Sequence, residues 1–382
     1  MAPLTKNPAL KWTAPLVAAA LAVGIPVAMS ASASAEPPLP EKTAQELLVD
    51  VQALKNLPIS GDVTTVANLG LPQLPGFAAP TVSDVSLGSL LTLASGTHTW
   101  RVWNDGAQAS RVALLTGQSE TDVIRNGSEV WVWSSADRHA VHSTLPDGAD
   151  KGTHVPGNAP DGTPAELAGD LLKAIDPTTA VTVGRASHVA GRPAYELVLT
   201  PKQTGTKIGK ITLALDSKTK VPLRVQVIAH DGTLAAEVAF TSVSFAKPDA
   251  GVFEFTPPSG TEVTEGPAGG TMPEAPAGTA PTEPPAGTEP KPTPTKPATS
   301  GAEPKVIGTG WTTIVVADPG PAPTDNTDGT VGALFDQLPQ VSGSWGTGRL
   351  FDGSLVSVVL TDDGRVAAGA VTPDALYAAL KG

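Results

Sequence analysis

THTWRVWNDGAQASRVALLTGQSETDVIRNGSEVWVWSSADRHAVHSTL, residues 97–145, is the stretch on which the reading of this chain turns. Short apolar runs alternate with turn signals, Asn104-Asp105-Gly106 and Asn126-Gly127 among them. Such spacing reads as a meander of antiparallel strands, THTWRVWN, ASRVALLT, ETDVIRN, EVWVWSS and HAVHSTL. Only 4% of the residues are aromatic, yet four of the seven tryptophans fall here: Trp100, Trp103, Trp131 and Trp133. Trp131 and Trp133 are two apart and share a strand face, while Val130 and Val132 point to the other. Trp100 and Trp103 are three apart and cannot share one face of a regular strand. A strand such as VWVW, apolar on both faces, must be covered on both sides or must present one face to a cavity. The tryptophans are therefore either ordinary core or the lining of a cleft.

Working outward, EKTAQELLVDVQALKN (41–56) places Leu47, Leu48, Val51 and Leu54 at helical spacing, and ISGDVTTVANL follows as a strand. SDVSLGSLLTLASG (83–96) reads as a second helix and TPAELAGDLLKAID (163–176) as a third. Five further strands are expected downstream: AVTVGRASHV, RPAYELVLTP, TKIGKITLALD, PLRVQVIAH and LAAEVAFTSVSF. The sum is about 11 antiparallel strands and about three helices, a mainly β (α+β) architecture in which helices cover the open side of one curved sheet.

Between Pro257 and Pro304 the character changes, with 13 prolines and 7 glycines in 48 residues and PAG recurring at 267, 276 and 285. This composition cannot bury enough apolar surface to offset its ordering entropy, so 257–304 is expected to be an extended linker. It separates a large domain, 36–256, from a small C-terminal α+β module, 305–382. That module carries WTTIVVA, GTGRL, SLVSVVL, RVAAGAV and the helix TPDALYAALK.

The first 35 residues have the pattern of a secretory signal: two lysines and no acid, then an apolar run, then ASASA before Glu36. The mature protein is expected to begin at Glu36 and to lie outside the cytoplasmic membrane, in the cell envelope. The formal charge of −12 becomes −14 once Lys6 and Lys11 are removed. An acidic chain repels nucleic acid and anionic headgroups, so neither is an expected partner. The absence of cysteine excludes disulfides and thiolate metal sites.

Enzymatic machinery is not in evidence. The chain has no G-x-S-x-G elbow, H-E-x-x-H pair, Walker loop or dinucleotide fingerprint. His139 and His142 in RHAVH are three apart, which on a strand sends them to opposite faces. No catalytic residue, metal or cofactor is expected.

The order of elements nevertheless resembles a known superfamily. An N-terminal helix, SGDVTTVANLGLP (60–72), the WRVWNDG and ASRVALL meander and DVIRNGSEVWVWSS (122–135) are similar to the LolA-like lipoprotein carriers. The nearest likeness is to their secreted actinobacterial branch and to the RseB-like N-terminal domain of sigma-E regulators. The resemblance covers about 41–257 and implies an unclosed, strongly curved half-barrel whose concave face is lidded by helices over a cavity for lipid. It implies a carrier of lipid or lipoprotein acyl chains. The alternative it implies is an envelope sensor that binds lipid and regulates a membrane-anchored anti-sigma factor. The linker and C-terminal module depart from the carrier pattern, so lipid handling follows better than lipoprotein sorting. The expected cavity lining is Trp100, Trp103, Trp131, Trp133, Leu87, Leu90 and Leu91, with Trp131 and Trp133 on the concave side and Val130 and Val132 turned away.

Overall fold

The computed structural model describes residues 39–54, 57–70, 95–117, 119–145, 177–266, 302–318 and 337–381. Helix α1 spans Ala44–Gln52. Thr43 caps it in a reciprocal box, its hydroxyl accepting from the Glu46 amide at 3.2 Å while Glu46 accepts from the Thr43 amide at 2.7 Å. Leu47 and Val51, one turn apart, are the buried positions, and the helix packs beside the strand Thr179–Val183.

The strands that follow are β1 (Ile59–Asn68), β2 (Ser95–Asn104), β3 (Ala109–Thr116), β4 (Ser119–Asn126), β5 (Glu129–Ser134) and β6 (His139–Thr144). After them come β7 (Thr179–Val183), β8 (Ser187–Val189), β9 (Arg192–Pro201), β10 (Ile208–Asp216), β11 (Pro222–Ala229), β12 (Leu234–Ser244) and β13 (Glu262–Glu265). All 13 form one open sheet in the order β13-β6-β5-β4-β3-β2-β1-β12-β11-β10-β9-β7, with β8 also paired to β9. Every pairing is antiparallel except β13 on β6. The fold is mainly β, a curved, unclosed and almost wholly antiparallel sheet, as the sequence leads one to expect.

The central join is β1, paired to β2 on one side and to β12 on the other. The β1–β12 pairing carries a bulge at Asp62/Val63. Gly61 makes that approach possible, because a Cβ there would stand 2.0 Å from the Ser242 carbonyl oxygen. The turn signals act locally as read. Asp105 accepts from the amides of Ala107 and Ala109 at 2.8 and 3.0 Å, and Gly127 turns the β4–β5 hairpin at φ +64°.

Some details differ from the sequence reading; the strand Ala302–Ile307, described below as β14, begins inside the stretch 257–304 expected to be linker. AVTVGRASHV is two strands, β7 and β8, and both pair with β9. TEVTE, inside the stretch expected to be linker from Pro257, supplies β13, so the large sheet continues past that boundary. Of the expected helices, 83–96 lies outside the described residues except for Ser95 and Gly96, which begin β2; helix 163–176 lies wholly outside them.

The C-terminal part is a six-stranded antiparallel sheet. Its strands are β14 (Ala302–Ile307), β15 (Ile314–Asp318), β16 (Gln340–Gly343), β17 (Gly346–Asp352), β18 (Ser357–Thr361) and β19 (Val366–Gly369), in the order β14-β15-β19-β18-β17-β16. Helix α2 (Pro373–Leu380) packs on it, joining Leu376, Ala379 and Leu380 to Ile314, Val359 and Ala367. Trp345 stacks on Tyr377 at 5.4 Å.

Both sheets belong to one compact unit, Glu41–Gly382, and are hydrogen-bonded to each other. The Trp311 indole donates to Thr179 Oγ1 at 2.8 Å, and the Lys207 amide donates to the Ala370 carbonyl at 2.8 Å. The Ser354 hydroxyl donates to the Asn68 carbonyl at 2.7 Å, and Lys207 Nζ pairs with Asp352.

Candidate functional site

The strands β2 to β6 pair without a register shift, so each side chain can be assigned to a face from the ladder alone. On one face Val102, Val112, Val123, Val132 and Val141 stand directly opposite one another across five strands. Trp100 and Leu114 form the neighbouring row on that face, and Trp100 is opposite Val63 on β1. Past β1 the same face continues as Val238, Val225, Leu213 and Leu197 on β12, β11, β10 and β9. This is the core face. Val63, Leu213 and Leu197 are wholly buried on it, and Trp100 retains 5% exposure. Its indole N–H is satisfied by Thr65 Oγ1 at 3.1 Å.

The opposite face of β2–β6 carries the other tryptophans. Trp103, Arg111, Ile124, Trp131 and His142 form one row, and Arg101, Ala113, Asp122, Trp133 and Ala140 the next. Cover comes from the chain after β12. A 3-10 turn, Ala250–Phe253, packs on β3 and β4, and Arg111 Nη1 donates to the Val252 carbonyl at 3.4 Å. Phe255 then lies 5.3 Å from the Trp131 ring and 6.0 Å from that of Trp133. The guanidinium of Arg111 sits 5.5 Å over Trp103, and Trp131 stacks on His142 at 4.3 Å.

This geometry divides the expected cavity lining. Trp131 and Trp133 do share a face, and Trp100 and Trp103 do not. The pair Trp131/Trp133 lies on the face where Phe255 packs, and Val130 and Val132 lie on the face of the valine row. Alternation fixes which residues share a face and leaves the choice of face to whatever packs on the sheet. Here the bulky indoles go where a short aromatic return segment can cover them. Leu87, Leu90 and Leu91 lie outside the described residues.

Two charged clusters on the tryptophan face escaped the sequence reading. Asp122 is fully buried and accepts from Arg111 Nη2 at 2.6 Å. Burial pushes its carboxyl up to about 6 against the pull of Arg111, and Glu120 adds to the rise. Among the described residues, Asp122 Oδ1 and the neighbouring Trp133 Nε1 have no hydrogen-bond partner. At the sheet edge, His142 Nε2 is 2.5 Å from Glu129 and its Nδ1 is 3.0 Å from Glu265 on β13. Burial pulls the His142 imidazole down, but its hydrogen bonds to Glu129 and then Glu265 outweigh that and raise it above the ordinary value. RHAVH and TEVTE could have signalled this cluster only to a reader who knew that they pair across more than 120 residues.

The described strands thus form an open, almost wholly antiparallel sheet with a row of valines on one face. Residues 93–263 match the family described as the MucB/RseB N-terminal domain, in line with the RseB-like part of the resemblance. Among solved structures, the chain is similar to the MucA/MucB complex of Pseudomonas aeruginosa at 15% identity and TM-score 0.41, over 88% of this chain and 96% of that one. A LolA-superfamily protein from Nitrosomonas europaea matches at 12% identity and TM-score 0.22, over 56% of this chain and 99% of that one. A lipoprotein-sorting domain from Vibrio parahaemolyticus matches at 10% identity and TM-score 0.22, over 55% and 97%. No curated protein matches the chain.

Proposed function

We propose that this is an exported, non-enzymatic envelope protein that holds the acyl chains of a lipid or lipoprotein against the core face of its large sheet. One observation carries the reading: the unbroken row of five valines, with Trp100 and Leu114 in the row beside it and Arg125 in the row on the other side. Such a band suits a flexible hydrocarbon, which gains from area removed from water and asks for no directional contact. The family match supports the same reading, since it covers the strands that build the band.

Brominated acyl lipids test it, because bromine quenches only indoles in contact with the chain. Quenching of the purified protein that disappears in Trp100→Phe and persists in Trp131→Phe is expected. Organic extraction followed by mass spectrometry should return an acyl lipid. Quenching confined to Trp131 and Trp133, or no quenching together with no extractable lipid, would overturn the proposal.

A second reading is favoured by the match to a MucB/RseB domain and by the second sheet bonded to the first. MucB has been crystallised with MucA. On this reading the chain reports lipid occupancy to a membrane-anchored regulator such as an anti-sigma factor. Cross-linking in intact cells would distinguish the readings, since a sensor should capture one membrane-anchored protein whose yield changes when the valine row is disrupted.

A further inference from the structure

Strand β13 is attached to the large sheet in an unusual way. It is four residues long, all of them exposed, and it is the one parallel strand among 13. Its apolar residue, Val263, remains 45% exposed, so hydrophobic burial contributes little to holding it. Backbone bonds and two side-chain contacts do the holding. The Glu262 amide donates to the Arg138 carbonyl at 2.8 Å, and the Gly266 amide to the His142 carbonyl at 2.6 Å. Thr264 meets His139 at 2.9 Å, and Glu265 meets His142 at 3.0 Å.

The His142 contacts impose a chemical requirement. Both ring nitrogens face carboxylates, Glu129 from β5 and Glu265 from β13. Ionised carboxylates only accept, so both nitrogens must donate, and that is the imidazolium. Among the described residues, Trp131 stacked on the ring and Phe255 against Trp131 bring no charge. The end of the strand imposes a steric requirement. A Cβ at position 266 would meet Ser143 Oγ at 2.2 Å and Val141 Cγ1 at 3.1 Å, so glycine fits where a larger residue must displace β6 side chains. The edge of β6 thus reads an extended segment with a carboxylate followed by glycine.

We propose that this edge of β6 is a strand-addition site for an extended acidic segment of a partner protein, occupied in this chain by its own β13. Unpaired strand edges recruit extended peptides through main-chain bonds, with side-chain pockets supplying selectivity. The internal occupant is short, exposed and followed at once by the Pro/Gly-rich stretch, so its replacement uncovers little apolar surface.

The probe is a fluorescein-labelled peptide with the sequence of residues 259–266, SGTEVTEG. It is titrated against the full chain and against a full chain carrying Thr264→Pro. Position 264 lies midway between two amides that bond β6, so proline there should vacate the edge. The vacated chain is expected to bind the peptide at least tenfold tighter than the unaltered one. A peptide with glutamine in place of the final glutamate should bind at least tenfold more weakly, and binding should fall as pH rises through the titration of His142. No gain in Thr264→Pro, or equal binding of the two peptides, would overturn the proposal. Should Thr264→Pro fail to fold, amide exchange at Thr264 and Gly266 in full-length Glu265→Gln decides the matter. Exchange at least tenfold faster than in the unaltered chain is expected, and unchanged exchange would overturn the idea equally.

Discussion

Strands β10 and β5 occupy the two halves of the same sheet and are covered in opposite ways. In β10, IGKITLALD, every residue from Ile211 to Asp216 is buried, polar ones included. Thr212 bonds Gln226 at 3.1 Å, and Asp216 takes Arg192 in a two-point pair at 2.6 and 3.1 Å. In β5, EVWVWS, the valines are buried and the larger, flatter tryptophans are only half-buried. Side-chain apolarity would rank the strands the other way. Burial is decided by what lies over a face, and among the described residues the return segment around Phe255 lies over the tryptophan face of β5.

The largest effect should come from the heart of the better-covered half. Leu213 is wholly buried, and Leu213→Ala is expected to cost about 2–5 kcal/mol of stability in urea unfolding, through lost transfer energy and the cavity left behind. Val132→Ala, at 8% exposure on the other half, removes fewer methyl groups and should cost about 1.5 kcal/mol. Equal costs would show that the two halves are covered alike.

Next comes the tryptophan face. Trp131→Ala should cost no more than about 1.5–3 kcal/mol, the scale for burying one large apolar side chain, because the side chain is only half-buried. Calorimetry with a Phe255→Ala partner closes a double-mutant cycle. A coupling of about 0.5–1.5 kcal/mol is expected for the aromatic contact. No coupling would remove Phe255 as the cover.

How far this arrangement could be read from the sequence depends on range. The strands of the large sheet were legible because alternation and turn residues act within a dozen positions, as at Asp105 and Gly127. Helix α1 was legible through Thr43 and Glu46, three apart. The pairing of Trp131 with Trp133 was legible for the same reason. Their face was not, because it depends on Phe255, more than 120 residues downstream. Strand β13 was hidden by composition: TEVTE has alternating β-branched residues, but the prolines and glycines around it outvote them in any local window. The pH behaviour of Asp122 and His142 was illegible too, since each value is set by partners on other strands.

That pH behaviour should produce smaller, separable changes. The folded-state carboxyl of Asp122 is raised to about 6 from its ordinary value of 3.8. A raised acid contributes stability that is fully present below its unfolded value and lost as pH rises through the folded one. Stability should therefore fall between about pH 4 and pH 6, and Asp122→Asn should flatten that fall. His142 is raised from 6.5, so its contribution is complete below that pH and lost as pH climbs through the higher folded value. Glu265→Gln should shrink the second loss and leave the first in place. Chemical denaturation across pH 3.5–9 would test both, and a single merged transition unaffected by either substitution would contradict the two-cluster description.

The smallest effect should come from the tryptophan-face pair Arg101–Asp62, and it tests whether charge on that face is structural. Arg101 Nε lies 3.0 Å from Asp62 Oδ1, but the side chains are 51% and 38% exposed. Water and salt screen such a pair, and ordering a long side chain offsets part of the attraction. Asp62 has a second tie, since it accepts from the Ser242 hydroxyl at 2.8 Å, and Arg101 as well as Ser242 holds its carboxyl below the usual range. Losing the guanidinium therefore leaves an exposed carboxylate that keeps a partner. Arg101→Ala should cost less than about 1 kcal/mol, and less again in 1 M salt. Its guanidinium also stands 6.0 Å over Trp103, a contact that Arg111 duplicates from the neighbouring strand at 5.5 Å. A loss above about 2 kcal/mol that persists in high salt would mean that the Trp103 contact, and not the ion pair, holds this end of the face.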